Sequence, residues 1–159
     1  MAGSPKLRRS PRPYQERCLY RKIDHVAIAV SSIEAALEVY AAGLGLVNWS
    51  IEEVPEQKTR VALLPIGGSR IELLEATAED SPVAGFIARR GEGLHHICLE
   101  VDDLAAALAK VKAAGMRLID PAPRLGAGGC LIAFIHPTSA SGVLIELSQP
   151  QLNSNSPSE

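Results

Sequence analysis

The chain repeats itself, and this restricts its fold more than any other feature. Residues 22–46, KIDHVAIAVSSIEAALEVYAAGLGL, return in altered form at 94–118, LHHICLEVDDLAAALAKVKAAGMRL. His25 answers His96, Ile33 answers Leu104 and Leu37 answers Leu108, each 71 positions on. Later in each half, GGSRIELLEA at 67–76 returns as SGVLIELSQP at 141–150. Gly68 stands four positions before Glu72, as Gly142 stands before Glu146. One supersecondary unit is used twice.

Each half reads in the same order. A strand is expected over 23–30 and again over 95–101, where apolar residues alternate or run. Ser31-Ser32 and Asp102-Asp103 then supply N-cap chemistry for helices over 33–42 and 104–114. Apolar residues recur there at three and four, and Gly43 and Gly115 end the pattern. Three β-runs follow: 46–54, 59–65 and 69–75, then 117–119, 130–135 and 143–148. Pro55, Gly67-Gly68, the glycines of 126–129 and Pro137 punctuate them. A short helix within 81–91, with Pro82 in its first turn, links module 22–76 to module 94–149. The fold class is therefore α+β: two βαβββ modules whose curled sheets surround a shared cavity, helices outside.

At 159 residues and 47% apolar, the chain supplies one domain with a sizeable core, so folding requires neither disulfides nor a structural metal. No apolar run approaches the roughly 20 residues that span a bilayer, and no signal-peptide pattern precedes the first strand, which excludes a membrane protein. Only 4% of residues are aromatic, too few for nucleic-acid stacking platforms. Cys18, Cys98 and Cys130 are odd in number and lack zinc spacing, so they read as reduced thiols of a cytoplasmic protein. Residues 1–22 hold seven of the sixteen Lys and Arg residues and one acid, leaving nine basic and seventeen acidic groups elsewhere. Residues 1–21 are expected to form a disordered basic arm, with organelle import as its alternative use. Pro5, Pro11 and Pro13 oppose the amphipathic helix of a transit peptide. Residues 150–159 are a polar tail.

Strand alternation selects the candidate site. In 23–30, His25, Ala27 and Ala29 share a face, and the two alanines leave room beside it. His96, Cys98 and Glu100 share a face of 95–101; Glu72 pairs with Leu74, and Glu146 with Ser148. The roomy faces of four repeat-related strands thus present His25, Glu72, His96 and Glu146. Two imidazoles and two carboxylates suit a divalent first-row metal with open water positions. An unpartnered polar group in an apolar strand costs roughly 2–7 kcal/mol, so two glutamates in matched I-E-L contexts require a partner. His95 falls on the opposite face from His96 by this parity, and reads as structural. His136, before Pro137, reads as a capping residue, and Cys98 as a small buried thiol.

With these residues in place, the chain resembles the vicinal oxygen chelate superfamily and, within it, the methylmalonyl-CoA epimerase family. The resemblance spans residues 22–148 and is carried by KIDHVAIAV, PEQKTRVALLPIGGSRIELLEA, DSPVAGFIARRGEGLHHICLEVDDL, RLIDPAPRLGAGG and FIHPTSASGVLIEL. It implies a homodimer, an acyl-CoA substrate and a metal in the cavity. Co²⁺ or Mn²⁺ is the first expectation, with Ni²⁺, Zn²⁺ and Mg²⁺ also compatible. It puts the metal ligands on His25, Glu72, His96 and Glu146; some members carry Gln at the position of Glu72. The implied reaction interconverts (2R)- and (2S)-methylmalonyl-CoA by removing the C2 proton through a metal-stabilised enolate, with Glu146 as a catalytic base.

The chain also departs from that family. Several members place a second Glu in the strand after the Glu-Gln pair, where this chain has Val61, and a Lys after His-Pro, where it has Thr138. Glu100 shares the parity of His96 but lies about 13 Å away along the strand, and it and a water on the metal are equal candidates for the second base. The loop Leu125, Gly126, Ala127 and Gly128 is expected to bring backbone N–H groups to the substrate carboxylate. Arg89, Arg90 and Arg124 are candidates for the CoA phosphates.

Other readings of the same residues belong to a glyoxalase I-like lyase, an epimerase of a different 2-substituted malonyl-CoA, or a ligand-binding module without chemistry. An extradiol dioxygenase wants a three-residue site for iron, against which Glu72 argues.

Overall fold

The computed structural model describes residues 18–151. Residues 1–17 of the expected basic arm and 152–159 of the tail lie outside the described residues. The strands are β1 (Tyr20–Ala29), β2 (Ser50–Val54), β3 (Thr59–Ile66), β4 (Ser69–Ala76), β5 (Gly93–Val101), β6 (Arg124–Leu125), β7 (Leu131–Ile135) and β8 (Leu144–Gln149). Helices α1 (Ile33–Leu37), α2 (Pro82–Arg90) and α3 (Leu104–Ala113) complete the modules. The strands form one sheet in the order β2-β3-β4-β1-β5-β8-β7-β6. Within each module the first and last strands run parallel, β1 with β4 and β5 with β8, and the modules meet where β1 and β5 pair antiparallel. All eight strands contribute residues to one cavity, so the sheet curls around it as the repeat predicts.

The outer face is built from the residues that alternate with the candidate ligands. Leu73 and Leu147 each follow a glutamate and are fully buried on the other side. Ile33 of α1 packs with Val30, Ala62, Leu64 and Leu73, and Leu104, Ala107, Leu108 and Val111 of α3 pack with Val101, Ala133, Ile135 and Leu147. Burying each such leucine contributes about 1.5–3 kcal/mol. The helix starts are doubly capped. Ser32 Oγ accepts the Ala35 N–H at 3.2 Å and Asp103 Oδ1 the Ala106 N–H at 2.9 Å. Glu75 and Gln149, at equivalent strand ends, accept the N–H groups of Ile33 at 2.6 Å and Leu104 at 2.8 Å.

Four local expectations are corrected. The helix expected over 33–42 is α-helical only to Leu37 and continues as a wider π-turn, Glu38–Gly43, with Leu44 N–H bonded to Val39 O. The run 117–119 makes a single bridge, Leu118 to Ile135, because Pro121 and Pro123 lack N–H groups and Asp120 takes the Phe134 N–H with its side chain. β1 begins at Tyr20, inside the span assigned to the arm. Finally, α2 lies on the inner face of the sheet: Val83, Phe86 and Ile87 cluster with Ala27, Ala29, Val61 and Leu74. Much of the room left by Ala29 is filled by this helix.

The seam between the modules is irregular. Asp24 is an extra residue on β1 between the pairs Ile23–Leu99 and His25–Cys98, and His95 is an extra residue on β5 between Ala27–His96 and Ile28–Leu94. A bulge of this kind turns two consecutive side chains toward the same face. His95 accordingly lines the cavity, contrary to its placement by simple parity.

Candidate metal centre

Strand register assembles the site in two adjacent rows. Arg70, His25, Cys98, Glu146 and Phe134 are successive partners across β4, β1, β5, β8 and β7. Glu72, Ala27, His96 and Leu144 form the next row. The small side chains of Ala27 and Cys98 leave a hollow at the centre, with His25, His96, Glu72 and Glu146 around it and all four buried.

Three donor atoms converge there. His25 Nε2 is 3.1 Å from His96 Nε2, His96 Nε2 is 2.8 Å from Glu146 Oε2, and His25 Nε2 is 3.6 Å from Glu146 Oε2. Donors bound about 2.1 Å from a divalent ion lie roughly 3.0–3.4 Å apart in octahedral or tetrahedral geometry, so the spacing and chemistry of these atoms fit such an ion. Glu72 stands apart from this group. Its Oε1 lies 2.7 Å from Arg70 Nε and 3.4 Å from His25 Nδ1. Leu144 occupies the position equivalent to Arg70 beside Glu146, and without a guanidinium there Glu146 turns to the imidazoles.

The electrostatics follow from this packing. Burial pushes Glu146 up, but hydrogen bonds to His25 and His96 outweigh it and hold the carboxyl at about 2. Burial pushes His25 down, while hydrogen bonds to Asp24, Cys98 and Glu146 and the charge of Glu72 raise it to about 12. Asp24 is lowered to about 2, first by its hydrogen bond to His25. The fully buried Cys98 thiol is pushed up to about 12 by desolvation and stays neutral, in keeping with its reading as a small core residue.

The centre forms the floor of a cavity of about 300 Å³. Gln57, Thr59, Val61 and Leu74 line one side, and Ile119, Cys130, Ile132 and Phe134 the other. Val61 thus presents an aliphatic wall to the cavity. Arg124 lines the cavity, bonded to Asp120 at 3.0 Å and lying over the Phe134 ring at 5.4 Å. Arg89 and Arg90 are exposed at the end of α2 and outside the lining, and Glu100 pairs with Lys22 at 3.4 Å instead of entering the cavity.

The glycine loop is divided between the cavity and the sheet. Ala127 reaches the cavity, whereas Leu125 pairs with Leu131 in β7 and its side chain is exposed. The Gly126 N–H is committed to Cys130 O at 2.8 Å and is not available to a substrate. Gly128 and Gly129, at φ 65° and 75°, make the turn that closes this hairpin. His136 caps the turn that follows it, its Nδ1 accepting the Thr138 N–H at 3.1 Å as expected.

Sequence reasoning missed Arg70, the contact of Asp24 with His25 Nδ1, and the place of His95 in the cavity lining. Asp24 and His95 occupy matching repeat positions, each polar and each beside a candidate ligand; that coincidence was the available signal.

The fold is that of a known group of proteins: the chain belongs to the glyoxalase/bleomycin resistance protein/dioxygenase superfamily, whose family model matches residues 24–134. It is 42% identical over 130 residues to the uncharacterized protein YqjC of Bacillus subtilis, covering 82% of this chain and 93% of that protein. To the ethylmalonyl-CoA/methylmalonyl-CoA epimerase of Cereibacter sphaeroides it is 38% identical over 130 residues, covering 80% and 97%. A variant of Streptomyces coelicolor methylmalonyl-CoA epimerase, solved in complex with 2-nitronate-propionyl-CoA, superposes with a TM-score of 0.78 at 37% identity, over 84% of this chain and 96% of that one.

Proposed function

We propose that this chain is a divalent-metal-dependent epimerase that interconverts (2R)- and (2S)-methylmalonyl-CoA. The observation that carries the reading is the converging set of His25 Nε2, His96 Nε2 and Glu146 Oε2 at the floor of a cavity, in a chain similar to epimerases of this substrate class.

Its reaction must remove a proton flanked by a carboxylate and a thioester, and the obstacle is the negative charge left behind. His25, His96 and Glu146 would hold the ion, with Glu72, now bonded to Arg70, as the fourth ligand and Co²⁺ or Mn²⁺ as first choices. When bound, it supplies Lewis-acid stabilisation of that charge. Glu146 takes the C2 proton. Its Oε2 faces the imidazoles, which leaves Oε1 as the oxygen for proton transfer, a role worth roughly 10²–10⁴-fold in rate. The second proton carrier is a group other than Glu100, which is turned away to Lys22. Val61, Leu74 and Val83 keep the wall beside the reacting carbon dry. Ala127 and Cys130 border the acyl end of the substrate at the hairpin, and the remainder of the coenzyme extends through the mouth past Arg124. The functional unit is 22–149 and works as a homodimer.

Proton exchange at C2 of methylmalonyl-CoA, followed by NMR in D₂O with and without added Co²⁺ or Mn²⁺, tests this reading. Metal-dependent deuterium incorporation is the expected result. Exchange with ethylmalonyl-CoA alone would move the assignment to a larger 2-substituent. Bound metal without exchange on either thioester would overturn the epimerase reading.

A further inference from the structure

We propose that Asp24 and His95 are a repeat-related pair of positioning residues, each holding Nδ1 of the adjacent candidate ligand so that Nε2 is presented to the metal. The proposal rests on the assignment of His25 and His96 as ligands.

The argument begins with the backbone. In a regular strand the residue before an inward-facing histidine points outward. Here both modules insert one extra residue at that position, Asp24 on β1 and His95 on β5, and both bulges lie on the seam where the modules pair. Asp24 and His95 are 71 positions apart, the spacing that relates His25 to His96. The irregularity is therefore a property of the duplicated unit. Each bulge brings the preceding side chain behind its histidine: Asp24 Oδ2 lies 2.9 Å from His25 Nδ1, and His95 Nδ1 lies 2.9 Å from His96 Nδ1. In both rings the other nitrogen is the one at the centre, with the two Nε2 atoms 3.1 Å apart. An imidazole whose Nδ1–H is held by an acceptor keeps its Nε2 lone pair for a metal and keeps its ring plane.

The acceptors are themselves fixed, and they differ. Asp24 is braced by Arg70 Nη1 at 2.9 Å and Lys22 Nζ at 3.4 Å, so a buried anion stands behind His25. His95 packs against the Phe86 ring at 4.8 Å and lines the cavity, so an imidazole open to the cavity stands behind His96. The anion makes His25 the stronger donor of the two. His95 lets the contents of the cavity bear on His96. Were Asp24 only a counter-ion for Arg70 and Lys22, its replacement would leave the imidazole N–H groups undisturbed.

The test uses the full chain loaded with Co²⁺. Affinity is measured by calorimetric competition with a chelator, and the imidazole N–H protons are read as hyperfine-shifted ¹H NMR signals that disappear in D₂O. Two such signals are expected in the unsubstituted protein. Asp24→Asn should weaken Co²⁺ binding about 10–100-fold and move one signal while leaving the other. His95→Phe, which keeps the packing against Phe86 and removes the acceptor, should weaken binding and move the second signal or speed its exchange with solvent. His95→Gln, which offers an amide oxygen, should restore part of both. If either Asp24→Asn or His95→Phe leaves affinity within twofold and both signals in place, the pairing is overturned while the metal centre stands. Absence of Co²⁺ binding by the unsubstituted chain would overturn the metal centre, and the pairing with it.

Discussion

Ala27 and Cys98 are equivalent residues of the two modules, and each is the side chain that separates a histidine from a glutamate in its row of the sheet: Ala27 between Glu72 and His96, Cys98 between His25 and Glu146. Both are fully buried, so the size of these two side chains sets the size of the hollow between the four polar groups. Ala27→Val adds two methyl groups there. It should cost about 1–3 kcal/mol of stability through overpacking and should abolish Co²⁺ binding, whereas Cys98→Ala should retain the ion. Urea unfolding and calorimetry on the two variants measure both effects; equal retention of metal would contradict the role given to the hollow.

Replacing Glu146 separates the proton transfer from the fold. Glu146→Gln keeps the shape of the side chain and should lower C2 exchange at least 100-fold with the thermal transition within a few degrees of the original. Exchange near the original rate would remove the catalytic role from this residue.

Bound metal should show in stability, because the donors come from both modules. At a free Co²⁺ concentration about 100 times the dissociation constant the gain is about 2.7 kcal/mol, equivalent to a rise in Tm of roughly 5–11 °C. Differential scanning fluorimetry should record this rise, and EDTA should reverse it. His96→Ala should eliminate the response.

The hairpin that borders the cavity depends on the absence of a side chain at Gly126. A Cβ built there would meet three atoms of the Ile132 side chain at 2.7–3.0 Å. Gly126→Ala should therefore destabilise the protein by about 1–3 kcal/mol and raise KM, since Ala127 and Cys130 move with the turn. In the double variant Gly126→Ala, Ile132→Ala the combined loss should fall short of the sum of the single losses. Strict additivity, measured by chemical denaturation, would show that the two sites do not touch.

The repeat and the alternation of side chains were enough to place His25, Glu72, His96 and Glu146 on one face, because a period of two and a duplicated motif are both written directly in the chain. The departures have different origins. A bulge adds a residue to one strand without changing its composition, so parity misplaced His95 and passed over Asp24. Arg70 lies two residues before Glu72, and only the folded strand shows that the guanidinium turns back to take that carboxylate. The linker helix has an ordinary amphipathic sequence, which reveals that one side is buried but not on which side of the sheet it lies. At 117–119 the apolar pattern reads as a strand, and the prolines that follow limit its pairing to one bridge.

The position of the histidines at the seam has a consequence for how the two halves can diverge. Strands at the outer edges, β2 and β6, pair on one side only and are free to change within one copy. β1 and β5 pair with each other along their length, carry the candidate ligands His25 and His96, and share the same pair of bulges. A substitution in one of them alters the register against which the other must present its imidazole. The flanks can therefore specialise independently for different thioesters, while the middle of the molecule is inherited as a coupled unit.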